Sequence, residues 1–336
     1  MHLLAAPDKF RGTATAPEVA AAMADVAQER GWTCTQLPLA DGGEGTLDAF
    51  GGPNRDTPVT GPLGRQVTAG WRLDGDLAVV EMARASGLEL AGGAAGNDPL
   101  AATTRGTGEL IAAVLDAGAR RVVVGIGGSA TTDGGLGAVE ALAPYAPLDG
   151  SHGAQVLVAC DVTTRFADAA AVFGPQKGAT PDQVAALTEQ LKDLAEVYTR
   201  EHGVDVRELP GSGGAGGLGG GLAALGAVLT PGFDLIADEL RLAAACRRAD
   251  LVLTGEGKLD AQSLAGKVVG GVAALAGAER TAAVVGDRAD GVAVSFPVVS
   301  LTDTYGRDKA FGDTLGCVRD ATARLIEPMA APGQSR

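Results

Sequence analysis

Short apolar runs in this chain repeatedly stop at polar, glycine-bearing loops. The run ending at Ala6 leads to Asp8, Lys9 and Arg11, the one ending at Leu39 to Asp41 and Glu44, and the one ending at Ile126 to Asp133. Those ending at Ala159 and Thr254 lead to Asp161 and to Glu256, Lys258 and Asp260. Open α/β sheets bind ligands outside the carboxyl ends of their strands, so the pattern predicts a sheet scaffold with its chemistry in the loops. Glycine agrees: 51 of 336 residues is about twice the usual ~7%. With no collagen-like triplet, the excess predicts loops that need open φ/ψ space or close backbone approach.

The length predicts roughly two domains at about 150 residues each. With 27 basic and 41 acidic residues the net charge is −14, which argues against nucleic acid or an anionic membrane as partner. No apolar stretch reaches the ~18 residues of a bilayer span, and no charged leader precedes an apolar segment at Met1, so a cytoplasmic protein is expected. Cys34, Cys160, Cys246 and Cys317 are widely separated in the sequence and predict free thiols. His2, His152 and His202 form no triad or metal motif, which leaves the chemistry to Asp, Glu, Lys and Arg.

Thr15-Ala16-Pro17-Glu18 joins a capping box to a first-turn proline, and Val19, Ala22, Met23 and Val26 follow at helical spacing. With strands over 2–6 and 33–39 this makes one βαβ unit. Residues 56–82 alternate in short stretches broken by Gly61-Pro62 and Asp74-Gly75, the mark of an antiparallel meander. A helix over 107–117, strands over 120–126 and 155–159, and a long amphipathic helix opened by Thr180-Pro181-Asp182-Gln183 follow. Residues 210–221 are nearly all small and read as a linker or as backbone packed tightly against a neighbour. A strand over 251–254, a helix over 264–276 and strands over 281–285 and 297–301 then alternate with helices to the end.

No G-x-x-x-x-G-K-[ST] occurs, and the formal G-x-G-x-x-G at Gly211–Gly216 follows Pro210 in place of a strand, so neither nucleotide fingerprint applies. Carboxylates beside glycines let backbone N–H groups face phosphate oxygens while the side chains hold a hydrated cation. Phosphoryl transfer asks for this set, with an Asp to accept or orient a hydroxyl proton and little need of histidine. Simpler readings stand beside it: Asp41 as cap of the helix carrying Leu47, Asp133 as a turn residue beside Gly134, Lys177 as a phosphate ligand or merely the approach to the Thr180 cap.

Five ordered segments carry a family likeness: Ala6-Pro7-Asp8-Lys9-Phe10-Arg11-Gly12, Pro38-Leu39-Ala40-Asp41-Gly42-Gly43-Glu44-Gly45-Thr46, Gly127-Gly128-Ser129-Ala130-Thr131-Thr132-Asp133-Gly134-Gly135, Val172-Phe173-Gly174-Pro175-Gln176-Lys177-Gly178-Ala179 and Leu253-Thr254-Gly255-Glu256-Gly257-Lys258-Leu259-Asp260. Together they resemble the bacterial type 1 glycerate kinase family. The resemblance implies a two-domain glycerate kinase fold of the α/β class, a Rossmann-like parallel-sheet domain (1–50 plus 240–336) interrupted by a second mixed α/β domain (51–239). It implies ATP-dependent phosphorylation of D-glycerate, usually at the 2-hydroxyl. Residues 144–153 and 163–166 stand where the family has longer segments.

Carried onto this sequence, the expected roles are these. Asp41 orients the attacking hydroxyl or accepts its proton, with Asp8 beside it; Arg11 clamps a carboxylate and Lys9 offers a charge to phosphate. Gly127, Gly128, Ser129, Thr131, Gly255, Gly257 and Lys258 line the ATP phosphates, and Asp133 with Glu256 or Asp260 holds Mg²⁺. The competing expectations are a kinase for another small hydroxy acid and a nonenzymatic nucleotide or metabolite sensor.

Overall fold

The structure, a computed structural model, describes residues 1–264 and 266–327. In chain order the strands among them are β1 (His2–Pro7), β2 (Thr33–Gln36), β3 (Arg55–Thr60), β4 (Gln66–Asp74), β5 (Leu77–Glu81), β6 (Arg121–Gly125), β7 (Gln155–Ala159), β8 (Val228–Thr230), β9 (Leu251–Leu259), β10 (Thr281–Arg288) and β11 (Val298–Ser300). The chain divides into two compact units. One comprises Met1–Asp41, Asp48–Phe50 and the chain from Phe233 onward; the other comprises Gly42–Leu47 and Gly51–Gly232.

The first unit is built on a five-stranded sheet, β2-β1-β9-β10-β11, whose pairs are all parallel. Counted within that sheet the order is 2-1-3-4-5, the flavodoxin-like form of the doubly wound fold, and its direction of winding reverses between β1 and β9. Side-chain alternation gives each face a core. Leu3, Ala5, Leu251, Leu253, Ala282 and Val284 pack with Val19, Met23 and Val26 of the helix Ala16–Glu29 and Val318 of the helix Thr314–Ile326. Leu4, Ala6 and Val252 pack oppositely, with Leu242, Cys246, Val268 and Val272. The first helix starts as its sequence demands: Thr15 accepts from the Glu18 N–H, Glu18 accepts from the Thr15 N–H, and Pro17 sits in the first turn.

The second unit has a six-stranded sheet, β3-β4-β5-β6-β7-β8, antiparallel through β5 and parallel from β5 to β8. The meander expected over 56–82 is therefore the antiparallel half of a larger mixed sheet. Leu187, Leu191, Ala195 and Tyr198 of the helix Pro181–His202 close the core over Phe166, and the Thr180–Gln183 capping box opens that helix.

Two expectations need correction, and a pair of alternatives is decided. The strand expected over 251–254 runs on to Leu259, because β10 pairs with it as far as Arg288↔Leu259. Residues 210–221 are no linker: Gly214, Gly216 and Gly217 are buried, and the buried helix Leu218–Ala224 follows. The helix expected from 264 begins at Val268; residue 265 lies outside the described residues, as does the expected helical continuation over 328–336.

Candidate active site

In the first unit the carboxyl end of β1 lies beside the middle of β9, with Pro7 opposite Gly255. Such a reversal point leaves a crevice that neighbouring loops must fill, and doubly wound sheets bind their ligands there. The loop after β1 is pinned at both ends. Asp8 N–H donates to Gly255 O at 2.8 Å, and Phe10, buried, exchanges backbone bonds with Ala14. Leu39 N–H donates to Pro7 O at 2.8 Å, so the segment leading to Asp41 runs alongside.

Acidic groups collect at this end of the sheet. Burial pushes the Asp8 carboxyl up to about 6; Lys9, 3.9 Å away, opposes the shift, neighbouring Asp41 adds to it, and Lys267 opposes it weakly. Glu256 lies in β9 with its carboxyl buried, and its Oε1 has no hydrogen-bond partner among the described residues. Burial raises Glu256 to about 7, the nearby Ser263 hydroxyl opposes this, and Asp8 and Asp260 raise it further. An unpaired carboxylate oxygen in such a place is an acceptor waiting for a cation or a proton. Lys267 Nζ lies 3.3 Å from Asp41 Oδ2. Arg11 is exposed, and its backbone N lies 3.0 Å from where a β-carbon on Gly257 would sit, so the glycine lets the Asp8–Arg11 loop approach β9.

Of the expected site residues, the structure thus gathers Asp8, Lys9, Asp41 and Glu256 electrostatically and sets Arg11 against Gly257. Gly255 differs from expectation: it is an interior strand residue whose carbonyl accepts from Asp8 and whose β-carbon would stand 2.3 Å from Val284 O, so it lines no open loop. Lys258 is exposed on the same strand opposite Asp287. Asp260 Oδ1 accepts from the Gln262 and Ser263 N–H groups and shapes the turn after β9. Sequence reasoning missed Ser263 and Lys267. The expected helix from 264 had absorbed Lys267, and a polar turn closing on β9 was the only signal for either.

In the second unit, the Gly42–Thr46 and Gly127–Ser129 backbones press together at the carboxyl ends of β6 and β7. A β-carbon on Gly42 would stand 2.6 Å from Ala159 Cβ, and one on Gly127 2.7 Å from Gly43 Cα. Glu81, buried, accepts from the Leu47 N–H at 2.9 Å and holds that segment in place. Gly128 has a positive φ of 72°, and Ser129 bridges to Gly87.

Two of the expected site residues in this unit are engaged in contacts within it. Asp133 Oδ2 accepts from Thr104 N, Thr104 Oγ1 and Gly137 N, and Oδ1 from Gly135 N, so the carboxylate ties two helix starts together. Burial raises it against those four bonds, which engage both oxygens of a side chain expected to hold a metal. Thr131, expected at the phosphates, is fully buried, and its carbonyl accepts from Lys177 Nζ at 2.6 Å. Lys177 is itself buried, pushed down to about 7 by desolvation against the field of Asp133, and it clamps the loop from behind.

The chain is similar to known proteins along nearly its whole length. The model of the glycerate kinase family matches residues 3–146 and 145–297. Glycerate 2-kinase of Escherichia coli K12 is 40% identical over 320 residues, covering 82% of each chain. Glycerate kinase of Bacillus subtilis 168 is 41% identical over 318 residues, again 82% of each. A crystal structure of putative glycerate kinase 2 from Salmonella typhimurium LT2 superposes with a TM-score of 0.81 at 38% identity, covering 98% of this chain and 100% of that one. With the family's pattern met from β1 through β10, the chain belongs to the glycerate kinase family.

Proposed function

We propose that this enzyme transfers the γ-phosphoryl group of ATP to the 2-hydroxyl of D-glycerate, and that its reaction chemistry sits on the carboxyl end of the first unit's sheet. One observation carries the reading: carboxylates clustered at the β1/β9 reversal point, one of them buried with an unpartnered oxygen, in a chain of glycerate kinase sequence. The five ordered motifs support a place in the type 1 branch.

In the proposed reaction the glycerate oxygen forms a bond to the γ-phosphorus as the bond to the ADP oxygen breaks, and ADP leaves with that electron pair. Asp41 accepts the hydroxyl proton, with Asp8 beside it. Arg11 takes the substrate carboxylate by two parallel hydrogen bonds, and Lys9 offers its charge to phosphate. Within this unit Gly257 and Lys258 are the proposed phosphate contacts.

A divalent cation fits what is present. Mg²⁺ takes one or two protein carboxylates and fills its shell with phosphate and water, and the buried, unpaired Glu256 Oε1 is a hard oxygen donor of that kind. Glu256, with Asp260, would hold it, and the ion would neutralise charge on the transferring phosphate. Among the described residues no helix is long and apolar enough to cross a membrane. The free cysteines Cys34, Cys160, Cys246 and Cys317 suit a reducing compartment, and we place the enzyme in the cytoplasm.

Phosphorus NMR of the product formed from D-glycerate and ATP tests the reading. A phosphomonoester on the 2-oxygen together with ADP is expected. ATP left intact, or a phosphoester on the 3-oxygen, would refute the activity or the position respectively.

A further inference from the structure

We infer that Lys267 is a positioning residue for Asp41: its ammonium fixes the carboxylate that receives the substrate proton. The inference rests on the reading of Asp41 just given.

Three observations carry it. The first is contact, with Nζ 3.3 Å from Asp41 Oδ2, the lysine 38% and the aspartate 21% exposed. The second is placement. Asp8, Asp41 and Glu256 are like charges at one end of one sheet, and the field of Lys267 reaches Asp8 and Glu256 while it touches Asp41. Lys9, the other lysine named at this cluster, stands 3.9 Å from Asp8. The ammonium against Asp41 offsets the repulsion from its acidic neighbours.

The third observation is local misfit. Lys267 is the N-cap of the helix Val268–Ala276 and makes no capping hydrogen bond. Helix starts favour Ser, Thr, Asp or Asn, and a cation there faces the positive end of the helix dipole. A residue kept against its local preference marks a functional position when a compensating partner is at hand, and here the partner is Asp41. In the step itself the glycerate hydroxyl gives its proton to Asp41 as its oxygen bonds to the γ-phosphorus and ADP departs. Lys267 remains protonated throughout and exchanges no atom.

The test is a double-mutant cycle in the full chain, with kcat and both KM values measured for Lys267→Met, Lys267→Arg, Asp41→Asn and the double variant Asp41→Asn/Lys267→Met. The expected result for Lys267→Met is a fall in kcat of about 10-fold or more, the scale at which misplaced catalytic groups show themselves, with KM for ATP and glycerate changed less than about 3-fold. Lys267→Arg should recover much of that loss, and Lys267→Met should cost little more once the Asp41→Asn change is in place. A raised KM with unchanged kcat would make Lys267 a direct substrate ligand and overturn the inference. So would an undiminished loss in the Asp41→Asn background, or failure of Arg to rescue. Near-normal kcat in Asp41→Asn alone would instead overturn the reading of Asp41 on which the inference stands.

Discussion

Glu256 is held where its charge is least welcome. A folded-state value raised to about 7, against an ordinary 4.5, means that the folded protein binds this proton more tightly than the unfolded chain does. The fold therefore gains nothing from ionisation here: stability is greatest below about pH 4.5 for this group and falls as pH rises through about 7. A shift of that size corresponds to about 3 kcal/mol, and the side chain is buried enough for most of it to count. Glu256→Gln, in metal-free buffer, should be more stable than wild type at pH 8 by about 2 kcal/mol and indistinguishable from it near pH 4. Urea denaturation at the two pH values checks this, and a variant less stable than wild type at pH 8 would mean that Glu256 is a structural residue. Asp8, raised to about 6, contributes with the same sign, so activity and stability pull in opposite directions at this end of the sheet. Not all of these residue roles were legible beforehand. The clustering of Asp8, Asp41 and Glu256 follows from strand-end loops meeting on one sheet, which motif spacing announces. A turn role for Asp133 was among the readings, but its bond to Thr104 was hidden, because Thr104 lies 29 residues away and only the fold brings them together. Lys267 was hidden for the opposite reason, since local helix propensity around it pointed to an ordinary helical lysine.

At the scale of elements, caps and periodicity were the dependable signals. Both capping boxes open helices where they stand, at Thr15 and Thr180, because side-chain and backbone donors satisfy each other locally. Glycine misled wherever its reason was tertiary. Gly255 and Gly257 suggested a loop, yet β9 continues through them because β10 pairs with it, and they are glycines because Val284 and the Phe10–Arg11 backbone leave no room for a β-carbon. The stretch around Gly216 offered a linker as one reading; instead a β-carbon on Gly216 would stand 1.9 Å from Thr131 O, on a backbone with φ of 70°. Gly216→Ala should therefore cost about 2 kcal/mol or more, through left-handed strain and displacement of the Gly127–Gly135 loop. Denaturant unfolding measures it, and wild-type stability would show that the close approach is not needed. Replacing Thr180 by Ala removes one cap from a 22-residue helix and should cost only about 1 kcal/mol, so the two variants separate packing from capping.

For the whole molecule, a net charge of −14 sets the problem that an enzyme for ATP and a small carboxylate must solve. Two anionic substrates approach an acidic protein, so local cations must override the overall field. The first unit supplies Lys9, Arg11, Lys258 and Lys267 on loops and strand ends of one parallel sheet. Fold class and family were legible at this scale because five strand-end motifs keep their order through the chain. The antiparallel half of the second unit's sheet was legible as a meander, but its join to the parallel half at β5 and β6 depends on which neighbours the folded core selects. The reaction centre is most directly tested by the turnover of Asp41→Asn on D-glycerate and ATP, with its thermal stability measured alongside. The account predicts a kcat about 10²-fold or more below wild type at unchanged melting temperature; a folded Asp41→Asn variant that turns over at the wild-type rate would contradict it.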